Sequence, residues 1–173
     1  MKFYSGFSLK KEEYLFNEYI KKSEYTACGF SYGAIKALKY TQEELACGNR
    51  VDTLQLFSPA FFQTKDSKFK RLQLLSYKKN EEAYLKQFID ACFFPHAKKI
   101  VEHLKTKVEE LEELLGFEWD LQELQELEDK GVKIEVYLGS EDKIIDLEQA
   151  RELFLKVATV TYIKNANHFL QTN

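Results

Sequence analysis

"ACGFSYGAIKAL", residues 27–38, sets Ser31 between Gly29 and Gly33 with one residue on each side. The stretch before it, "EYTACG" (24–29), reads as a strand, and "YGAIKALKYTQEELA" (32–46) after it has helical spacing. A serine on such a strand-to-helix turn can be a nucleophile pushed out of the pleat, the glycines removing side chains that would clash there. It can equally be a small-residue junction. Five residues do not separate these readings; a base, an acid and oxyanion donors elsewhere in the chain would.

Working outward, the chain alternates strands with helices. "KFYSGF" (2–7) reads as a short strand running into a turn, and "SLKKEEYLFNEYIKK" (8–22) as a helix with Leu9, Leu15, Phe16, Tyr19 and Ile20 near one face. Thr53–Phe57 reads as a third strand, stopped by Ser58-Pro59. From Thr64 to Lys130 nothing looks like a strand; apolar spacing suggests three or four helices with breaks near Asn80, Pro95 and Gly116-Phe117. Strand character returns in "VKIEVYLGSED" (132–142), followed by a helix over 146–157 and a last strand within 158–169. This alternation implies a parallel sheet with right-handed crossovers, with the helical block inserted at one edge.

The 173 residues suit a single domain with a sizeable core, and 45% hydrophobic against 31% charged residues is ordinary for a globular protein. Only 7 Gly and 2 Pro argue against a turn-rich β-sandwich. A net charge of −3 gives no reason to expect nucleic acid. The charge is segregated: Lys65, Lys68, Lys70, Arg71, Lys78 and Lys79 stand against a lone Asp66, whereas 109–129 is acidic. Each run reads first as a solvated helix face. The start has no apolar stretch of signal-peptide length, and no run is long enough to span a bilayer. With the odd count of three cysteines (Cys28, Cys47, Cys92), this suggests reduced thiols and a cytoplasmic protein. No spacing suits a metal.

Open parallel sheets bind ligands beyond the carboxyl ends of their strands. Four loops of that kind carry distinctive residues: Ser5-Gly6-Phe7-Ser8, the Ser31 turn, "GSED" with Asp142, and "NANHF" with His168. A serine hydroxyl needs an imidazole to take its proton, and a carboxylate to hold that imidazole in the right tautomer. Ser31, His168 and Asp142 can supply this set. Glu141 and Asp146 are rival acids, but Asp146 suits the N-cap of the following helix. His96 and His103, a heptad apart, read as solvent-facing helix positions; Cys28 reads as a buried, inert strand residue.

The order Ser31, Asp142, His168, each closing a strand, resembles the α/β-hydrolase family. That resemblance implies a minimal version of the fold: about five mostly parallel strands, with residues 1–62 and 131–173 as core and 63–130 as a helical lid. It implies an oxyanion hole from the backbone amides of Phe7 and Tyr32. Two departures stand out. Ser5 replaces the family's usual histidine in the oxyanion loop, and one helix alone separates Gly6 from the second strand, where the family generally has a further strand and helix.

The basic first lid helix and the rings Phe61, Phe62, Phe88, Phe93 and Phe94 suit a medium acyl chain carried by an acidic partner. Small size and elbow sequence resemble the short pimeloyl-acyl-carrier-protein methyl ester esterases of biotin synthesis. This implies a monomer that needs no cofactor or metal, cleaves the methyl ester of its carrier-bound substrate, and uses Lys65, Lys68, Lys70 and Arg71 to steer acyl carrier protein. A generic short-chain carboxylesterase or thioesterase, and a non-catalytic hydrolase-fold binding protein, remain alternatives.

Overall fold

Side chains alternate faces along a strand, so a strand buried along its whole length must be covered on both sides. The computed structural model, which describes residues 1–173, has two such strands at its centre. Along the chain its elements are β1 (Lys2–Tyr4), β2 (Leu9–Lys10), β3 (Thr26–Phe30), α1 (Tyr32–Ala46), β4 (Thr53–Phe57), α2 (Ser67–Lys79) and α3 (Glu81–Phe93). Then follow β5 (Glu102–His103), α4 (Val108–Gly116), α5 (Leu121–Asp129), β6 (Lys133–Gly139), α6 (Leu147–Phe154) and β7 (Thr159–Ile163). Five strands pair in parallel in the order β1-β3-β4-β6-β7, with every residue of β3 and β4 buried. All carboxyl ends therefore lie on one rim.

One face of the sheet, carrying Ala27, Leu54, Leu56, Ile134, Val136 and Leu138, packs against α1, α5 and α6. The opposite face, carrying Cys28, Phe30 and Phe57, is covered by Phe16 and Ile20, by Ile89, Cys92 and Phe93 of α3, and by Phe169 and Leu170. Phe16 is fully buried between Phe30 and Phe57, with ring centroids at 4.9 and 5.0 Å. Truncating such a ring costs about 3–5 kcal/mol. Helix starts are capped as their sequences indicate: Asp66 accepts from the Phe69 amide at 2.7 Å, Asn80 from Ala83 at 3.0 Å, and Asp146 from Gln149 at 3.5 Å.

Three expectations are corrected. Residues 8–22 do not form one helix: Ser8 and Lys11 adopt φ of 61°, Leu9–Lys10 become β2, and a single 3-10 segment covers Glu12–Phe16. The insertion is not strand-free, because β5 pairs antiparallel with β2, Leu9 opposite His103. Each partner is two residues long, too short for a periodic signal. The crossovers also do not share one hand. The chain from β1 to β3 and the chain from β3 to β4 step in the same direction but cover opposite faces, so one has the rare left hand.

Candidate active site

The turn after β3 is tight enough to demand its glycines. A Cβ on Gly29 would lie 2.1 Å from the Gly33 carbonyl oxygen, and one on Gly33 would lie 2.0 Å from that of Tyr4. Ser31 itself adopts φ 52° and ψ −114°. A non-glycine residue held there stores about 1–3 kcal/mol of strain, which surrounding bonds must offset. They do: the Ser31 amide donates to Phe57 O at 2.9 Å, and its carbonyl accepts from the Ala34 and Ala60 amides, both at 3.1 Å. The hydroxyl is left free, and it lies 3.0 Å from His168 Nε2.

His168 sits in the loop after β7. Gly139 lets that loop approach β6, since a Cβ there would lie 2.4 Å from the Ala166 and Asn167 carbonyl oxygens. Asn167 stitches the loop down, donating from Nδ2 to Phe93 O at 2.7 Å and to Gln171 Oε1 at 3.0 Å. The His168 ring packs at 5.0 Å from Phe30, and its Nδ1 lies 2.6 Å from Asp142 Oδ2. Asp142 Oδ1 accepts from the Ile144 amide at 2.8 Å, so each carboxylate oxygen has its own partner. A carboxylate only accepts, so Nδ1 carries the proton and Nε2 accepts from the Ser31 hydroxyl. Ser31, Asp142 and His168 are buried.

Neither rival acid reaches the imidazole. Asp146 caps α6 and accepts from Thr64 Oγ1 at 2.6 Å; the Glu141 carboxylate accepts from Ser140 Oγ at 3.4 Å. Cys28 is buried, and burial pushes its thiol up to about 12, which keeps it inert. His96 and His103 are not helical: His96 Nε2 lies 2.6 Å from Asn165 O, and His103 lies exposed on β5.

The two segments named for an oxyanion hole are in contact. Gly33 packs against the carbonyls of Tyr4 and Ser5, and the Phe7 and Tyr32 rings meet edge-on at 6.3 Å. The Phe7 amide donates to no group of the protein. Tyr32, as first residue of α1, has no intrahelical acceptor, and the helix N-terminus there favours negative charge. The Tyr32 hydroxyl instead bonds the Glu113 carboxylate of α4, which also meets Lys39. Burial opposes the charge on Glu113, but Lys39, Tyr32 and Lys36 outweigh it and hold its pKa below the usual carboxylate range.

In the sequence α3 offers only lid rings, Phe88 and Phe93, yet the helix also links two loops of the rim. Phe88 meets Phe7 edge-on at 6.2 Å, and Phe93 stacks on Phe169 at 4.3 Å, so this helix joins the loop bearing Phe7 to the loop bearing His168. Beside it lies a cavity of about 310 Å³ whose walls include Phe62, Phe69, Phe88, Leu115 and Ile144, with Lys65 and Lys143 among them. Lys65 lies with its ammonium 5.6 Å from the Phe69 ring. Lys68 and Arg71 share an exposed face of α2 with Leu72, Leu75 and Lys79, whereas Lys70 points to another side and is half-buried.

No protein-family model matches the chain, and neither does any curated protein sequence. Solved structures do. Carboxylesterase CesB (YbfK) from Bacillus subtilis superposes with a TM-score of 0.55 at 15% identity, over 85% of this chain and 54% of that one. The esterase EaEST from Exiguobacterium antarcticum gives 0.56 at 18% identity, over 79% and 56%. Naproxen esterase (carboxylesterase NP) from Bacillus subtilis gives 0.53 at 19% identity, over 96% and 62%. The chain thus spans between 54% and 62% of the length of these three structures. Likeness at this identity speaks to architecture, and with the parallel five-stranded sheet it gives the chain a small α/β-hydrolase fold.

Proposed function

We propose that the chain is a serine esterase in which Ser31 is the nucleophile, His168 the general base and Asp142 its orienting carboxylate. The observation that carries this reading is the buried relay from Ser31 Oγ to His168 Nε2 (3.0 Å) and from Nδ1 to Asp142 Oδ2 (2.6 Å), starting on a strained elbow. Ser31 Oγ attacks the ester carbonyl carbon as its proton passes to His168 Nε2. The tetrahedral oxyanion is held by the Phe7 and Tyr32 amides, and Asp142 stabilises the imidazolium. When the C–O bond breaks, His168 gives its proton to the departing alkoxide, which leaves as an alcohol. Water then attacks the acyl-enzyme with His168 again as base; the acid departs and Ser31 regains its proton.

The substrate we propose is the methyl ester of pimeloyl-acyl carrier protein, which would be cleaved to methanol and the free carboxylate. Three features support it. The ring-lined cavity beside α3 suits an acyl chain. The exposed face of α2 combines Lys68, Arg71 and Lys79 with Leu72 and Leu75, each leucine 51% exposed, which matches an acidic, partly apolar protein surface. No helix is long and apolar enough to cross a membrane, compatible with a cytoplasmic monomer serving a carrier protein. In this reading residues 63–130 act as the lid and Lys65 joins the carrier contact, whereas Lys70, turned away from the face of Lys68 and Arg71, does not.

A generic carboxylesterase is the second reading, favoured by the esterases among the similar structures. Methanol release from methyl-pimeloyl carrier protein and p-nitrophenolate release from a p-nitrophenyl ester, by wild type, Ser31→Ala and Lys68→Glu/Arg71→Glu, separate the readings. Ser31→Ala abolishes both activities. The charge reversal lowers kcat/KM on the carrier substrate about 10-fold or more and leaves the small ester unchanged. Equal effects on both esters would leave only the generic esterase, and full activity in Ser31→Ala would remove the enzyme reading.

A further inference from the structure

Besides Asp142, one acidic side chain is buried, and no step above uses it: Glu12 is 0% exposed. Its Oε1 accepts from the Gly6 amide at 2.7 Å, and its Oε2 is enclosed without a hydrogen-bond partner. Burial raises its pKa, against the pull of the Gly6 and Glu12 amides and the Ser5 hydroxyl, while Glu13 adds repulsion. A carboxyl buried with one oxygen unpaired is costly, and its other oxygen is engaged by a single backbone amide. Such an arrangement asks for a role.

Gly6 and Phe7 supply it. The Ser5–Gly6 peptide is pinned by the bond from its N–H to Glu12. The Gly6–Phe7 peptide is pinned through its carbonyl, which accepts from the Leu9 amide at 3.1 Å. A trans peptide is planar, so its N–H points opposite to its C=O. Fixing these two successive planes fixes the direction of the Phe7 N–H. Gly6 cannot stiffen the loop itself: a Cβ there would lie 2.7 Å from Phe30 Cδ1, and glycine is the least restrained residue. Ser5, lacking an imidazole, offers only a hydroxyl.

We propose that Glu12 is a positioning residue for ester hydrolysis, which by accepting from the Gly6 N–H aims the Phe7 N–H at the oxyanion of the substrate. The proposal rests on the esterase reading of Ser31. It is tested with Glu12→Gln, Glu12→Leu and Glu12→Asp on a p-nitrophenyl ester, alongside wild type and Ser31→Ala, with exchange of the Gly6 amide proton followed by NMR. Gln keeps an acceptor at the same reach, so Glu12→Gln retains kcat within about threefold. Leu has no acceptor and Asp falls one methylene short, so both lose about 10- to 100-fold in kcat with KM within twofold. The Gly6 amide is protected in wild type and Glu12→Gln, and exchanges freely in the other two. Wild-type kcat in folded Glu12→Leu or Glu12→Asp, a fall in Glu12→Gln equal to theirs, or rapid Gly6 exchange in wild type would each overturn the proposal. Hydrolysis that is equal in wild type and Ser31→Ala would instead remove the esterase reading, and this proposal with it.

Discussion

Gly33 in the first turn of α1 rests against the backbone of Tyr4 at the end of β1, so closely that a Cβ on Gly33 would lie 2.0 Å from the Tyr4 carbonyl oxygen. The contact brings the turn bearing Ser31 against the loop bearing Phe7. The Ser31 turn and the loop bearing Phe7 are therefore one packing unit. Gly33→Ala pushes backbone against backbone, which no rotamer change relieves. It is expected to lower stability by about 3 kcal/mol or more, read as a fall in the urea midpoint, and to reduce hydrolysis in whatever fraction folds.

Asp142 holds His168 through one oxygen and its own loop through the other. Asp142→Asn keeps the shape but lets its amide donate, favouring the wrong imidazole tautomer. A loss of about 10³- to 10⁴-fold in kcat with folding intact is expected, measured by steady-state kinetics and circular dichroism. A loss below about tenfold would assign the orienting role elsewhere.

Tyr32 has two separable parts. Its amide is a proposed oxyanion donor, while its hydroxyl ties α1 to Glu113 of α4. Tyr32→Phe removes only the hydroxyl, so kcat should stay within about twofold while stability falls by about 0.5–1.5 kcal/mol. A large fall in kcat with little change in stability would mean that the hydroxyl itself takes part in the chemistry.

Glu12 also sets a pH dependence. Its pKa is raised in the folded chain, so the folded state holds this proton more tightly than the unfolded state does. That favours folding at low pH, and the advantage is lost as pH rises through the raised folded value. Glu12→Gln cannot lose the proton. Its melting temperature should gain on wild type as pH rises above the usual carboxylate range, by scanning calorimetry. A difference that stays constant over that rise would mean that Glu12 titrates normally.

The rim of the sheet was legible because each chemical residue follows a strand with its own turn signal: Gly29 and Gly33 around Ser31, Gly139 before Asp142, and the "NANHF" turn with His168. Thr53–Phe57 was readable to the residue, because a short β-prone run ends at Ser58-Pro59. Residues 8–22 were not. Leu9, Leu15, Phe16, Tyr19 and Ile20 have helical spacing, but Leu9 is held by β5 from 94 positions further on, and Lys11 turns at φ 61°. Such a pairing is a tertiary decision that no local pattern carries. Glu12 lies in "KKEEYLF", where a carboxylate reads as one more solvated charge. The difference in hand between the first two crossovers escaped for a similar reason: handedness rules presume one face for connections that step in one direction, and Phe16 finds its partners on the face opposite to α1.

The most direct test is covalent labelling by a fluorophosphonate, read by intact-protein and peptide mass spectrometry together with ester hydrolysis. The expected result is one adduct on the peptide containing Ser31, parallel loss of hydrolysis, no adduct in Ser31→Ala, and labelling slowed about 100-fold or more in His168→Ala. An adduct on another residue, or hydrolysis that survives in Ser31→Ala, would contradict the assignment of Ser31 as nucleophile.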